Sequence, residues 1–169
     1  IQYVILGVVG FSYSVAAFPT LTKFFVKNQR KEFLDIVVSA SRHIIFWTLP
    51  ATALFVVLRA QIVRVILGSG EFSWSDTRLT AAGLALFAIS LTAQSLVVLF
   101  VRSFYAAGKT RRPLIINIYS SVFIVISSYV LIKIFNMYDP MRNFFEVALR
   151  VKDVPGTSVL MLPLAFSLG

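Results

Sequence analysis

The chain contains no cysteine and only one histidine among its 169 residues. Without cysteine there are no disulfide bonds and no thiolate metal sites, and the absence says nothing about the compartment. A metal site built from several histidines is excluded as well, because His43 has no second imidazole to join it. We recognise no nucleophile–base pair, carboxylate pair or phosphate-binding loop along the sequence. An enzymatic function therefore has no support, and we predict no catalytic residue and no metal site.

Charged residues are scarce, and apolar residues are correspondingly frequent. Charged residues make up 14% of the chain and hydrophobic residues 58%, with a mean hydropathy of +0.85. Soluble globular domains typically have about 25% charged and about 45–50% apolar residues. The longest apolar run covers residues 77–105 and carries charges only near its ends, at Arg78 and Arg102. Because about 20 apolar residues are enough to cross a bilayer, this run predicts a transmembrane segment.

Further apolar runs predict an all-α fold, a polytopic bundle of transmembrane helices. The predicted spans cover about residues 1–20, 34–58, 77–105 and 113–135, and another span starts at about residue 158. Between the last two, an apolar pattern at residues 141–151 predicts a short helix on the outer membrane surface. An ordered loop packed on the bundle is the alternative. Because the sequence begins and ends inside apolar runs, we expect a single transmembrane region that is a fragment of a larger chain.

Local signals refine three of these helices. Pro19 is expected to end the first span and Pro50 to kink the second, because proline removes a backbone hydrogen bond. Ser75 and Asp76 directly precede the third span and are candidate N-caps for its helix. The segment from Arg59 to Asp76 is therefore expected to be a connecting loop.

The basic residues lie mainly in the connections between apolar runs. The formal net charge is +9, which suits nucleic acid, but this placement instead favours anionic lipid headgroups. We therefore expect membrane lipids, and not nucleic acid, as partners. The connections at residues 22–33 and 106–112 are rich in lysine and arginine. The positive-inside rule places both on the cytoplasmic side.

Small and polar residues repeat on one face of several predicted helices. In lipid such faces favour close helix packing, but a row of polar groups also suits a hydrated cavity, and the sequence leaves both interpretations open. From helical spacing and sidedness we predict that Gln2, Ser14 and Gln94 face a cavity. Four cations at the predicted inner rim are candidates for contacts with lipid phosphate: Arg102, Lys109, Arg111 and Arg112. For Arg102, anchoring at the headgroups is the alternative.

Five strings of this sequence resemble one known family. They are FPTLTKFF (residues 18–25), TLPATALFVVL (48–58), ILGSGEFSWSDT (66–77), VRSFYAAGKTRRP (101–113) and LPLAFSLG (162–169). Their order, spacing and predicted sidedness are similar to those of the MurJ/MviN lipid II flippases, from the eighth helix to the start of the twelfth. The resemblance extends along nearly the whole chain and implies that it forms most of the second lobe of such a protein.

The resemblance also implies a fold and an activity. The fold is that of the multidrug/oligosaccharidyl-lipid/polysaccharide exporters, in which two six-helix lobes enclose a central cavity. The implied activity is the movement of lipid II, the undecaprenyl-linked peptidoglycan precursor, across the bacterial cytoplasmic membrane by alternating access. Lipid II is thus the implied partner. No cofactor is implied, and coupling to the membrane potential or to a monovalent cation stays unassigned.

Three departures from the family and two alternatives accompany this resemblance. The arginines that line the family's cavity would precede Ile1. Some members have a cation site in the eleventh helix, and the corresponding stretch of this chain offers Ser127 and Ser128 but no carboxylate. The connection at residues 135–158 is also longer than usual. One alternative is another exporter of the superfamily, which moves a lipid-linked polysaccharide or a drug. The other is a membrane scaffold that does not transport.

Overall fold

The computed structural model describes residues 4, 6–68, 73–151, 154 and 156–169, and within these ranges all regular structure is helical. This confirms the all-α prediction. A π-helical segment, Leu6–Phe11, leads directly into the first α-helix. The α-helices in chain order are α1 (Ser12–Val26), α2 (Arg30–Val57), α3 (Arg59–Leu67), α4 (Trp74–Ile89), α5 (Leu91–Ala106), α6 (Arg111–Met137), α7 (Asp139–Leu149) and α8 (Met161–Leu168). A 3₁₀ turn, Thr157–Leu160, precedes α8.

The chain forms two compact units. Unit 1 contains Ile1–Thr52 and Leu91–Tyr119, and unit 2 contains Ala53–Ser90 and Ser120–Gly169. The long helices α2 and α6 each begin in unit 1 and end in unit 2.

Two of the described helices are long and apolar enough to cross a membrane on their own. They are α2, with 28 residues and a mean hydropathy of 1.3, and α6, with 27 residues and a mean hydropathy of 2.0. The helices α4 and α5 are separated by a break at Ser90, and they count as a third span if the pair crosses the membrane as one segment. The Ser90 hydroxyl donates to the Phe87 carbonyl at 2.9 Å. The sequence suggests one continuous run at residues 77–105, whereas the structure has two helices there. Because α2 and α6 are each long and apolar enough to cross a bilayer, the chain is a membrane protein with an all-α helix bundle.

Two local predictions are wrong. The first concerns Pro19, which lies inside α1 and does not end it. Proline removes a single backbone bond, and transmembrane helices tolerate this loss when other groups satisfy the freed carbonyl. The second concerns the start of α4, whose N-cap is Ser73 and not Ser75 or Asp76. The Ser73 hydroxyl accepts from the Asp76 N–H at 3.2 Å, and the Asp76 carboxylate accepts from the Ser73 N–H at 3.0 Å. This reciprocal pair is a capping box.

The segment expected to be a loop after the second span contains α3. Val63 of α3 is fully buried, and it packs with Ala81 and Leu84 of α4. This helix ends at Leu67, and the next residue, Gly68, is unfavourable in a helix. Apolar packing on α4 therefore extends helical structure into a region whose charges suggest a connection.

In unit 1 the helices meet through small residues. A Cβ atom added to Gly10 would lie 3.2 Å from the Ser95 Cα, which is closer than ordinary van der Waals contact. The neighbouring core consists of Ala40, Ile44 and Leu99. Glycine and serine allow helix backbones to approach closely, which is the usual basis of helix association in lipid.

In unit 2 a core cluster combines large side chains with an alanine of α4. The buried cluster contains Ala82, Leu86, Phe135, Val151, Val154, Leu160 and Met161. From α7, Phe145 and Leu149 pack against this cluster. The connection between α6 and α8, where it is described, is therefore part of the folded unit.

Candidate functional site

A groove with a volume of about 630 Å³ opens in unit 1, where the end of α1, the start of α2 and the end of α5 meet. This volume falls within the range of about 300–1,000 Å³ that is usual for small-molecule sites. The groove lies at the connections 22–33 and 106–112, which the positive-inside rule predicts to be cytoplasmic. It is therefore the main candidate for a binding site in the described part of unit 1.

Two turns of the same kind shape this groove. After α1, Asn28 has a left-handed backbone (φ 57°), its N–H donates to the Phe25 carbonyl at 3.0 Å, and the Gln29 N–H donates to the Phe24 carbonyl at 3.0 Å. After α5, Gly108 repeats this pattern with a left-handed backbone (φ 66°). The Gly108 N–H donates to the Tyr105 carbonyl and the Lys109 N–H donates to the Phe104 carbonyl, both at 2.9 Å. Both are Schellman motifs, in which a glycine or asparagine ends the helix and satisfies its last carbonyls.

Aromatic rings form much of the wall between these turns. Phe25 and Phe33 meet edge to face with their centroids 6.2 Å apart. Phe100 and Phe104 of α5 complete the aromatic lining. Rings of this kind offer a large apolar surface at a low cost in side-chain entropy.

Two cations, Arg30 and Lys109, also line the groove, and none of its described lining residues is acidic. Lys109 is exposed, as is Arg30 at the first position of α2. An arginine guanidinium and a lysine ammonium both bind phosphate through charge-assisted hydrogen bonds. Together with the aromatic wall, these cations suit a ligand that joins an anionic group to an apolar chain.

The predicted rim residues do not all lie in the groove. Lys109 does, but Arg102 is not among the lining residues, and its guanidinium instead lies 5.8 Å from the centroid of the Phe11 ring. This is a cation–π contact with the π-helical segment. Arg111 and Arg112 are exposed in the first turn of α6, two and three residues after Lys109. The groove thus brings Lys109 together with Arg30, which the sequence analysis does not single out.

The predicted cavity residues have different surroundings. Ser14 is fully buried, and its hydroxyl donates to the Gly10 carbonyl at 2.5 Å, next to the close approach of Ser95. Gln94 is half-buried on α5. Gln2 lies outside the described residues. The surroundings of Ser14 favour the packing interpretation, and the role of all three residues in a cavity stays a prediction.

Sequence reasoning missed Arg30 and the aromatic wall because the wall comes from three separate helices. One signal was nevertheless available in both connections. Each turn residue stands four positions after a phenylalanine: Asn28 after Phe24, and Gly108 after Phe104. The carbonyl at this position accepts the longer bond of a Schellman motif, and helices that end in this way commonly have glycine or asparagine as the turn residue. That repeated pattern marks the two turns between which the groove opens.

The apolar helices and their packing define the class of this protein, an all-α membrane helix bundle. Within that class, the chain belongs to the family described as Lipid II flippase MurJ, whose family model matches residues 1–139.

Curated relatives agree with this membership. The chain is 32% identical to a probable lipid II flippase MurJ of Rickettsia prowazekii (strain Madrid E) over 117 residues, which are 69% of this chain and 23% of that protein. It is 29% identical to one of Rhizobium tropici over 130 residues, 77% of this chain and 24% of that protein. A third probable lipid II flippase MurJ, of Rhizobium meliloti (strain 1021), is 31% identical over 110 residues, which are 65% of this chain and 21% of that protein. The chain thus spans less than a quarter of the length of these relatives. No solved structure gives a significant match.

Proposed function

We propose that this chain is part of a flippase that moves lipid II from the inner to the outer leaflet of the bacterial cytoplasmic membrane. The strongest support is the family match over residues 1–139. The proposal also covers the whole protein's activity, in which the substrate changes leaflet by alternating access and no covalent bond is made or broken. In this view the protein is a multi-pass transporter and not an enzyme.

The chemistry of the substrate explains why a cationic groove is useful here. Lipid II combines a diphosphate and sugars with a long prenyl chain. Burying the diphosphate in hydrocarbon without partners is costly, so the transporter has to supply cations and polar groups along the path. The prenyl chain needs only apolar surface.

The groove of unit 1 supplies both kinds of contact at the predicted cytoplasmic end. In our proposal Arg30 and Lys109 attract the diphosphate as it enters from the inner leaflet. Phe25, Phe33 and Phe104 cover apolar carbons next to it. The exposed cations Arg111 and Arg112, together with Arg102, increase the positive potential around this entrance. Each cation close to a membrane surface contributes about 1 kcal/mol of attraction to anionic lipid.

The test uses the full-length protein in bacteria depleted of their own lipid II flippase. The amount of lipid II accessible at the outer face of the membrane is measured after depletion, with and without this protein. We expect the protein to restore accessible lipid II. A protein that is inserted and stable but restores none would contradict the proposal, and would favour another lipid-linked substrate or a scaffold role.

A further inference from the structure

The helix α7 carries apolar side chains on two nearly opposite sides, and only one of these sides is covered. Phe145 and Leu149 pack on the core of unit 2. Phe144 and Val147 are 68% and 61% exposed. The polar residues Arg142 and Glu146 occupy another side and form an ion pair at 3.9 Å. Because α7 lies almost entirely beyond residues 1–139, the family match does not account for the exposed apolar face.

The exposed face is held in a fixed orientation. The Thr157 hydroxyl donates to the Glu146 carboxylate at 2.9 Å. The Arg78 guanidinium donates to the Arg150 carbonyl through two nitrogens, Nε at 2.8 Å and Nη2. Arg150 ends α7 in the left-handed region (φ 59°), and the Val151 N–H donates to the Glu146 carbonyl at 2.8 Å. These contacts fix both the end of α7 and its rotation, so Phe144 and Val147 stay directed away from the core.

The position of α7 along the chain sets its depth in the membrane. The preceding helix α6 has 27 residues, and at a rise of about 1.5 Å per residue it is about 40 Å long. The hydrocarbon core of a bilayer is about 30 Å thick, so the ends of α6 reach the headgroup layers. Helix α7 begins two residues after Met137, the last residue of α6, and therefore lies next to one of these layers.

The residues around this junction suit a headgroup layer. Met137 and Tyr138 are exposed at 66% and 54%, and tyrosine is enriched at membrane–water interfaces. Lys133 and Arg142 are exposed, and their long side chains can reach headgroup phosphates. The exposed apolar surface of α6 is thus continuous in sequence with that of α7, and cations flank it.

We propose that α7 is an interfacial anchor, a helix whose Phe144 and Val147 insert into the headgroup layer of the predicted outer leaflet. The occupant of this face is the phospholipid surface itself. The amphipathic pattern, the fixed orientation and the junction with α6 all support insertion at the depth where apolar and polar groups meet. The anchor holds the end of unit 2 at the membrane surface, and it does not depend on which substrate the protein moves.

The experiment places a nitroxide spin label at Phe144→Cys, with Arg142→Cys as the matched control, in the full-length protein made free of other cysteines. Both residues are exposed, and they lie on opposite sides of α7 because an α-helix turns by about 100° per residue. Neither substitution disturbs the core. The labelled protein is reconstituted into vesicles of phosphatidylethanolamine and phosphatidylglycerol. Electron paramagnetic resonance then measures collisions of each label with oxygen, which concentrates in hydrocarbon, and with a nickel chelate, which stays in water.

We expect the ratio of oxygen to nickel collisions to be severalfold higher at position 144 than at position 142. A Val147→Cys label should behave like the label at 144. Equal nickel exposure at 142 and 144 would overturn the proposal, because the face would then be in water. Low collision rates with both reagents at 144 would also overturn it, because another protein surface would then cover the face.

Discussion

Unit 1 and unit 2 bring their helices together in different ways. In unit 1 the backbone of Gly10 approaches Ser95 closely, and a groove opens between the helix ends at Asn28 and Gly108. In unit 2 large side chains such as Phe135 fill the interior, and α7 lies against this core. The comparison teaches that a close helix approach at small residues can coexist with an open site, whereas a buried cluster around a large aromatic residue supports a fixed surface.

The largest expected effect comes from emptying the core of unit 2. Phe135 is buried and belongs to that cluster. Phe135→Ala should lower the free energy of unfolding of the full-length protein in detergent by about 3–5 kcal/mol, because truncating a buried phenylalanine leaves a cavity. The control is Phe123→Ala on the same helix, where the ring is 52% exposed. A similar loss in both variants would show that the core of unit 2 is not densely packed.

A smaller effect is expected from enlarging a small residue in unit 1. Gly10→Leu forces a side chain against the Ser95 backbone, and overpacking of this kind costs about 1–3 kcal/mol. Gly7→Leu is a matched control in the same π-helical segment, because a Cβ atom there would meet nothing within 4 Å. Thermal denaturation of the two variants measures the difference. If Gly7→Leu is as destabilising as Gly10→Leu, the close approach does not determine the stability of unit 1.

The smallest effect concerns the groove and the lipid that we propose it binds. Lys109→Gln should weaken binding of undecaprenyl diphosphate to the full-length protein in nanodiscs about fivefold, because one cation near lipid phosphate contributes about 1 kcal/mol. Lys133→Gln removes an exposed cation of unit 2 that lies outside the groove, and it should leave binding unchanged. Equal weakening in both variants would mean that overall charge, and not the groove, attracts the ligand.

The apolar helices are the part of the fold that the sequence predicts best. The predicted spans at residues 34–58 and 113–135 overlap α2 and α6, because long apolar runs have few alternatives in a membrane protein. The break at Ser90 was not visible, since neither proline nor glycine stands beside it and hydropathy sums over both helices. The N-cap at Ser73 could have been found, because Asp76 stands three residues later, as a capping box requires.

The candidate site was less predictable than the helices. Lys109, which lines the groove, was predicted as a rim residue from charge and sidedness alone. Its neighbour Arg30 and the ring of Phe33 approach it only after two Schellman turns have formed. Such a meeting of distant segments depends on tertiary packing, which periodicity and composition do not encode. Ser14 shows the opposite limit, because its spacing on the helix suits a cavity and a packed contact equally well.

The exposure of α6 has a consequence for biogenesis. None of the residues in its most apolar window is buried within the described chain, and its mean hydropathy of 2.0 is higher than the 1.3 of α2. A segment of this kind partitions into the bilayer by its own hydrophobicity, before it has any helical neighbour. Entry of α6 into the membrane during synthesis is therefore separate from the later assembly of the unit 2 core around Phe135. A defect in that core would produce a protein that is correctly integrated by the translocon and still exposed to quality-control proteolysis.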